Sequence, residues 1–458
     1  MDINNRYKKI LLFVCCVAGF LTPFLTSGVN IAILAMGLEF GVDAVRLSWI
    51  TTATLLSMAI FLVPAGKVGD IWGHRNVLLF GIVLVFASAT LMPIVPNFPL
   101  LLLLRMFQGA GGALIAASTM ALISSTFEKE ERGRAVGIYI AAIYLGLSAG
   151  PFLGGMLMTF LGWRSIFLFV SFLALISGTM TVKVLTSPPR KEQHEPFDWT
   201  GSFLYALSLV LIMLGVEYLQ TGTGWVLFAA GTAATLFFIR FESKIKFPVM
   251  EVRLFTNSRV FSFSCLAALI NYGSVFAVSY LLSQYLQNVK TLSPHEVGFI
   301  MVIQPLLQSI FSPLTGRASD TVEPRILATA GMTLSAGGLF LLSLLDKETS
   351  VSFIIMASAL LGIGFALFSS PNTNAIMSSV QSRDYGVASG ILGAMRLLGQ
   401  MGSMIVVTVI FSLFVGKMDI TAIPTELFVT NVRRSFFALA VLNTIGIGFS
   451  MSRGNLRN

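Results

Sequence analysis

Long apolar runs separated by short polar breaks make up almost the whole chain. Fourteen such runs can be read, near 10–35, 44–67, 75–95, 98–126, 133–158, 162–185, 198–220, 224–241, 257–286, 295–316, 325–345, 350–378, 385–415 and 431–452. Each is close to or longer than the ~20 residues that carry a helix across a hydrocarbon layer. An even number of crossings puts both termini on one side. Most of the 30 Lys and Arg fall at the termini and in the breaks on that side. The excess of bases places both termini in the cytoplasm. Arg105 and Arg396 are exceptions that stand inside runs.

The pattern repeats in one orientation. Gly66 and Gly316 begin similar polar breaks 250 positions apart. Gly109-Ala110-Gly111-Gly112 aligns with Gly362-Ile363-Gly364-Phe365 at an offset of 253, and Ala135-Val136-Gly137 aligns with Ala388-Ser389-Gly390 at the same offset. Parallel repeats of this kind predict two six-helix bundles. The seventh and eighth runs fall outside the repeat and read as an inserted hairpin. The expected division is 1–185 for the N-terminal bundle, 186–255 for a cytoplasmic linker with inserted helices 7 and 8, and 256–458 for the C-terminal bundle. The proline-rich Ser187–Pro196 stretch is the exposed part of that linker.

Composition narrows the class. Hydrophobic residues are 55% of the chain and charged ones 11%, against about 25% charged in a soluble domain. Mean hydropathy is +0.84. The net charge of +9 does not mark nucleic-acid binding, because the bases form no continuous face. Cys15, Cys16 and Cys265 have no disulfide or metal spacing. The first run is too long for a cleaved signal peptide and reads as an uncleaved first helix.

The break Gly66-Lys67-Val68-Gly69-Asp70-Ile71-Trp72-Gly73-His74-Arg75 resembles the loop between helices two and three of the major facilitator superfamily. Gly66, Asp70, Gly73 and Arg75 match that signature, His74 stands for a base, and Ile71 departs from it. Gly316 and Asp320 belong to the weaker copy. Arg105-Met106-Phe107-Gln108-Gly109 resembles the family's Arg-x-x-Gln-Gly in helix four. Gly146, Gly150, Pro151, Gly154 and Gly155 resemble the helix-five signature of its antiporters. Gly162-Trp163-Arg164 resembles the outer turn into helix six. Phe241-Glu242 through Pro248, with Arg253-Leu254-Phe255, and Gly390 through Gly402 with Arg396 and Gly399, resemble the fourteen-helix drug:proton antiporters of the EmrB/QacA type. That branch carries Asp-x-Thr-Ile-Val-Asn in its first helix. Here the matching segment keeps Asn30 but has Leu25 in place of the acid.

The resemblance and the residues together give the candidate site. Gly66, Asp70, Gly73, Arg75, Gly316 and Asp320 are expected to gate, with Asp70 pairing Arg75 or Arg134 when the cytoplasmic end closes. Arg105 either organises a polar network with Gln108 or Asn30, or snorkels to the interface. Gly146, Gly150, Pro151 and Gly154 are expected to make a close, bent contact with the tenth helix near Pro305. Asn30, Tyr139, Tyr144, Asn271, Tyr272, Gln304, Gln308, Asn372, Asn374 and Gln400 either line a cavity or hydrogen-bond between helices. Glu217 is the one acid inside a run and the tentative coupling residue, although an interfacial, structural acid is the weightier reading.

The expected protein is an all-α membrane protein of the major facilitator fold, with two six-helix bundles, a two-helix insert and fourteen transmembrane helices. Its expected function is export of lipophilic or cationic organic compounds by proton antiport across the plasma membrane, as a monomer, without cofactor or metal. The alternative is a transporter of one metabolite driven by its own gradient. No His-Glu-x-x-His, Cys cluster or Gly-Lys-Ser run supports an enzyme.

Overall fold

The structure is a computed structural model and describes residues 3–184, 197–219, 221–245, 248–319, 321–381, 385–416, 418 and 423–455. The Ser187–Pro196 linker and Asp320 lie outside the described residues. Among the described residues, fourteen helical stretches are long and apolar enough to cross a membrane. They run further than the apolar pattern alone indicates, because helices continue past the hydrocarbon until a cap or a turn stops them.

The first bundle is α1 (Ile3–Phe40), α2 (Ala44–Trp72), α3 (His74–Leu91), α4 (Phe98–Thr126), α5 (Lys129–Leu161) and α6 (Arg164–Val184). The inserted hairpin is α7 (Trp199–Glu217) and α8 (Gly222–Glu242). A short α9 (Arg253–Asn257) leads into the second bundle. There the ninth span is broken into α10 (Arg259–Val275) and α11 (Ala277–Asn288), and the tenth into α12 (Pro294–Met301) and α13 (Ile303–Ala318). The bundle is completed by α14 (Pro324–Leu342), α15 (Val351–Ser378), α16 (Tyr385–Phe414) and α17 (Thr425–Ser452). Local chemistry sets the ends. Asp43 and Asn97 accept hydrogen bonds from the Arg46 and Leu100 amides at the starts of α2 and α4. Gly73, at φ 88°, turns α2 directly into α3 and closes on the Gly69 carbonyl at 2.9 Å.

Helices in lipid gain little by hiding apolar surface from one another, so close backbone packing selects the pairs. Both bundles use the same glycine contacts. A side chain begun at Gly28 of α1 would stand 3.1 Å from the Gly150 carbonyl of α5, and one begun at Gly273 of α10 3.2 Å from the Gly399 carbonyl of α16. Gly81 meets Gly111 between α3 and α4 as Gly331 meets Gly364 between α14 and α15. Gly109 abuts the Thr54 carbonyl of α2, and Gly362 abuts the Gln304 carbonyl of α13. The sequence repeat is therefore a repeat of contacts. Outside them, Phe80, Phe160, Phe172, Phe237 and Phe437 are exposed, as a lipid-facing surface requires.

The expected contact of the helix-five glycines is corrected by this geometry. Gly146, Gly150 and Gly154 pack on Phe20, Ser27 and Gly28 of α1, inside their own bundle. The contact with the other bundle is made one helical face away. Gly155 meets the Pro294 carbonyl, and Gly298 of α12 meets the Pro151 carbonyl. It lies near Pro294, some ten residues from Pro305. Phe152 and Phe299 stack edge to face beside it, 5.1 Å apart.

The hairpin leans on both bundles. Tyr205, Leu209 and Met213 of α7 share a core with Leu56 and Ala59 of α2 and with Leu392 and Met395 of α16. Its base is closed by two acids. Asp198 accepts from the Gly201 amide at 2.8 Å, and Glu242, 2% exposed, accepts from the Met250 amide at 2.9 Å.

Two substitutions separate the two kinds of glycine contact. Gly150→Leu overfills the α1–α5 seam and is expected to cost at least ~1–3 kcal/mol of stability, read as a lower melting midpoint in detergent. Gly298→Leu is expected to fold normally but to hold the two bundles apart at the end away from the termini. A cysteine placed at Ser48 then becomes reactive to a membrane-impermeant thiol reagent.

Candidate functional site

The two bundles meet unevenly. Among the described residues, the hydrogen bonds between bundles all lie in the half away from the termini. Ser48 of α2 bonds Thr408 of α16 at 3.0 Å. Ser283 of α11 donates to the Asn30 carbonyl at 2.8 Å, and Gln287 to the Ile31 carbonyl at 3.0 Å. The His295 amide donates to Thr159 at 3.1 Å. At the same end Trp163 and Arg164 both donate to Glu39 and tie α6 to α1. Toward the termini, no described atom comes within 4 Å of where a side chain at Gly66, Gly137 or Gly390 would begin.

Arg105 sits just inside the closed end, 1% exposed. A buried guanidinium needs oxygen partners, and α2 and α4 supply them. Its Nε donates to the Ile50 carbonyl at 2.9 Å and its Nη1 to Gln108 at 2.7 Å. The next residue, Thr51, donates to the Asn30 side chain at 3.2 Å. Arg105, Gln108, Thr51, Asn30 and Ser283 thus form a polar ladder from α4 through α2 and α1 to α11 of the other bundle. This geometry excludes snorkelling.

Several expected cavity residues prove to be packing or bonding residues instead. Asn30 belongs to the ladder and is 1% exposed. Tyr139 is 4% exposed; its hydroxyl pairs with Thr119 at 2.6 Å and its ring fills the space left by Gly19. Asn372 donates to the Ser264 carbonyl and accepts from Arg453 at 2.8 Å. Gln308 is buried, and Asn271 is fully buried with neither side-chain atom hydrogen-bonded. Tyr144, Gln304, Asn374 and Gln400 remain partly exposed, and Asn374 bonds Ser319 at 2.9 Å.

The Gly66–Arg75 loop carries other pairings in this structure. Asp70 is bonded by His74 at 3.2 Å, one turn along and across the Gly73 break. Arg75 donates instead to Asn76 and to the Val182 carbonyl of α6, both at 3.4 Å. Glu217 ends α7, and its side chain lies outside the described residues.

Sequence reasoning missed two groups. Arg453 follows α17 by one residue and looked like an ordinary cytoplasmic base. It is 1% exposed, and burial pulls its guanidinium down to about 10, so it stays charged at neutral pH. It donates to Ser264, Asn372 and the Pro324 carbonyl, joining α10, α15 and the start of α14. The second group is the Asp198–Glu242 pair at the hairpin base. Their remaining oxygens, Oδ2 and Oε1, are both buried beside Gly201 without a donor. Two acids at the ends of different spans gave no spacing to read.

Two parallel-repeat bundles joined at one end define a multi-pass membrane protein of the transporter class. The sequence matches the Major Facilitator Superfamily over residues 15–241 and 264–452, and the chain belongs to that superfamily. It is similar to the riboflavin transporter RibZ of Clostridioides difficile, 28% identical over 86% of both chains. It is 28% identical to the multidrug resistance protein Stp of Mycobacterium tuberculosis, over 86% of this chain and 74% of that one. The cephamycin export protein CmcT of Amycolatopsis lactamdurans is 28% identical over 85% and 82%. Among solved structures, an inward-facing bacterial homolog of the human lysosomal transporter Spinster superposes with a TM-score of 0.73 at 14% identity, covering 98% of this chain and 97% of that one. The inward-open xylose transporter XylE of Escherichia coli gives 0.66 at 15% identity, over 98% and 96%.

Removing either buried arginine tests its role. Arg105→Ala leaves the Ile50 carbonyl and Gln108 unpaired, so transport is expected to fall at least ~10-fold with ~1–3 kcal/mol lost in stability. Arg453→Met is expected to lower the melting midpoint by several degrees, about 2–4 °C per kcal/mol for a domain of bundle size. Substrate affinity in the surviving folded protein is expected to stay unchanged.

Proposed function

We propose that the chain is an exporter of amphipathic organic compounds of the fourteen-helix EmrB/QacA branch, in which two bundles rock about a site between them. The observation that carries this reading is the set of hydrogen bonds that joins the two bundles at the end away from the termini. A carrier caught with one end closed looks like this. With the termini in the cytoplasm, the open end faces inward. The side-chain-poor contact of Pro151 and Gly155 with Gly298 supports it, because a seam without long side chains can separate and re-form without unlocking. The names of Stp and CmcT, a multidrug resistance protein and a cephamycin export protein, agree with it.

Proton antiport is the proposed drive. Leu25, 3% exposed, stands where the branch has its first-helix acid, so the proton must use another group. Glu217, inside the seventh apolar run, and the buried Asp198–Glu242 pair at the hairpin base are the candidates. The second reading, a carrier of one metabolite without proton coupling, is favoured by that same Leu25 and by the similarity to RibZ.

Counterflow in proteoliposomes, with and without an imposed pH gradient, decides between them. The antiporter reading expects accumulation of several dyes that rises with the gradient and is cut by Glu217→Gln or Glu242→Gln while counterflow persists. Transport of one compound, indifferent to pH, overturns it in favour of the metabolite carrier.

A further inference from the structure

Arg396 stands near the middle of the span formed by α16. It differs from the other two arginines buried in the bundles. Arg105 bonds the Ile50 carbonyl of α2 and Gln108 of its own helix, and the terminal nitrogens of Arg453 reach oxygens of α10, α14 and α15, although its Nε is unpaired. Arg396 stacks over the Tyr272 ring with its guanidinium carbon 4.9 Å from the centroid. Its Nε is buried without a hydrogen-bond partner. The residue is only partly buried. Tyr144 and Tyr139, on α5 of the opposite bundle, lie within its electrostatic reach. The Tyr139 hydroxyl is taken by Thr119. Tyr144 is partly exposed and makes no hydrogen bond to a described residue.

A guanidinium at this depth calls for an anion, and the chain supplies none nearby. The described carboxylates stand at helix ends and in connecting loops: Glu39, Asp43 and Glu426 at the closed end, Asp70, Glu131 and Glu323 at the other, Asp198 and Glu242 at the hairpin base. No described acid pairs with Arg396. A planar guanidinium whose Nε is left unpaired is suited to a two-oxygen anion. Tyr272, with Phe365 packed edge to face on it at 5.0 Å, adds an aromatic wall on the same side.

We propose that Arg396, together with Tyr144 across the bundle boundary, binds an anionic group of the transported compound, a carboxylate or sulfonate carried on an aromatic body. This rests on the export reading and changes its substrate class, since a cation would meet a like charge and no acid. The site is built from both bundles, so an anion held there interacts differently with the two arrangements of the bundles. That difference is what lets a substrate shift a conformational equilibrium.

Two xanthene dyes of opposite charge test it, carboxyfluorescein and rhodamine 6G, in proteoliposomes at neutral pH. Carboxyfluorescein is expected to be transported in preference to rhodamine 6G. Arg396→Gln is expected to weaken carboxyfluorescein binding, measured by anisotropy in detergent, by about 10-fold or more, and Arg396→Lys to restore part of it. Tyr144→Phe removes a single hydroxyl and is expected to raise KM several-fold at unchanged melting midpoint. It decides the matter if the arginine variants fail to fold. Rhodamine 6G transport without carboxyfluorescein transport keeps the exporter and overturns the anion site. Transport of neither dye overturns both. Carboxyfluorescein binding that is unchanged in Arg396→Gln and in Tyr144→Phe also overturns the site.

Discussion

Contact between bare backbones is the interaction on which the rest depends. In lipid, a leucine gains nothing by touching a leucine rather than an acyl chain. A glycine that admits a carbonyl from the next helix creates a contact no lipid can replace. Gly28 with Gly150, and Gly273 with Gly399, seat the same two helices in each half. Everything polar is then placed by those seams. Arg105 reaches the Ile50 carbonyl because Gly109, four residues along the same helix, lets α4 lie against α2. The seams inside a bundle and the seam between bundles are neighbouring faces of one helix. On α5, Gly150 and Gly154 face inward to α1, while Pro151 and Gly155 face the other half.

The arginines show how one residue type serves opposite ends. Arg105 and Arg453 are buried and Arg396 is partly so, and none of them forms a salt bridge among the described residues. Where the terminal nitrogens reach oxygens on three helices, as at Arg453, the cation is part of the scaffold. Where the guanidinium lies against tyrosine rings instead of carbonyls, as at Arg396, we read the cation as open to something that comes and goes. Burial alone does not distinguish the two; the partner atoms do.

Much of the fold was legible because lipid leaves few options. Runs of apolar residues must be helices, and the bases between them mark their ends. The Gly109–Gly362 correspondence announced the repeat because glycine contacts survive as glycines. The site was less legible. A polar residue inside an apolar run reads the same whether it bonds the next helix or lines a cavity. Asn372 and Tyr139 bond; Tyr144, five residues from Tyr139, stays open. The α5 motif pointed to a close contact, but its glycines occupy two faces, and sequence does not say which face meets which partner. Arg453 lies one residue past the last apolar run, where a base is ordinary, and only the return of α17 against α10 and α14 makes it a core residue.

That last placement bears on how the protein is made. Ser264, Asn372 and the Pro324 carbonyl belong to helices that leave the ribosome well before residue 453 is synthesised. Until α17 enters the bilayer, the C-terminal half lacks the cation around which those three groups converge. The N-terminal half has no such debt, since Arg105 finds both of its partners on α2 and α4, which are already inserted together. Assembly in the membrane is therefore ordered, the first half settling during translation and the second held incomplete until its final helix arrives. In that interval the second half is the part exposed to membrane quality control.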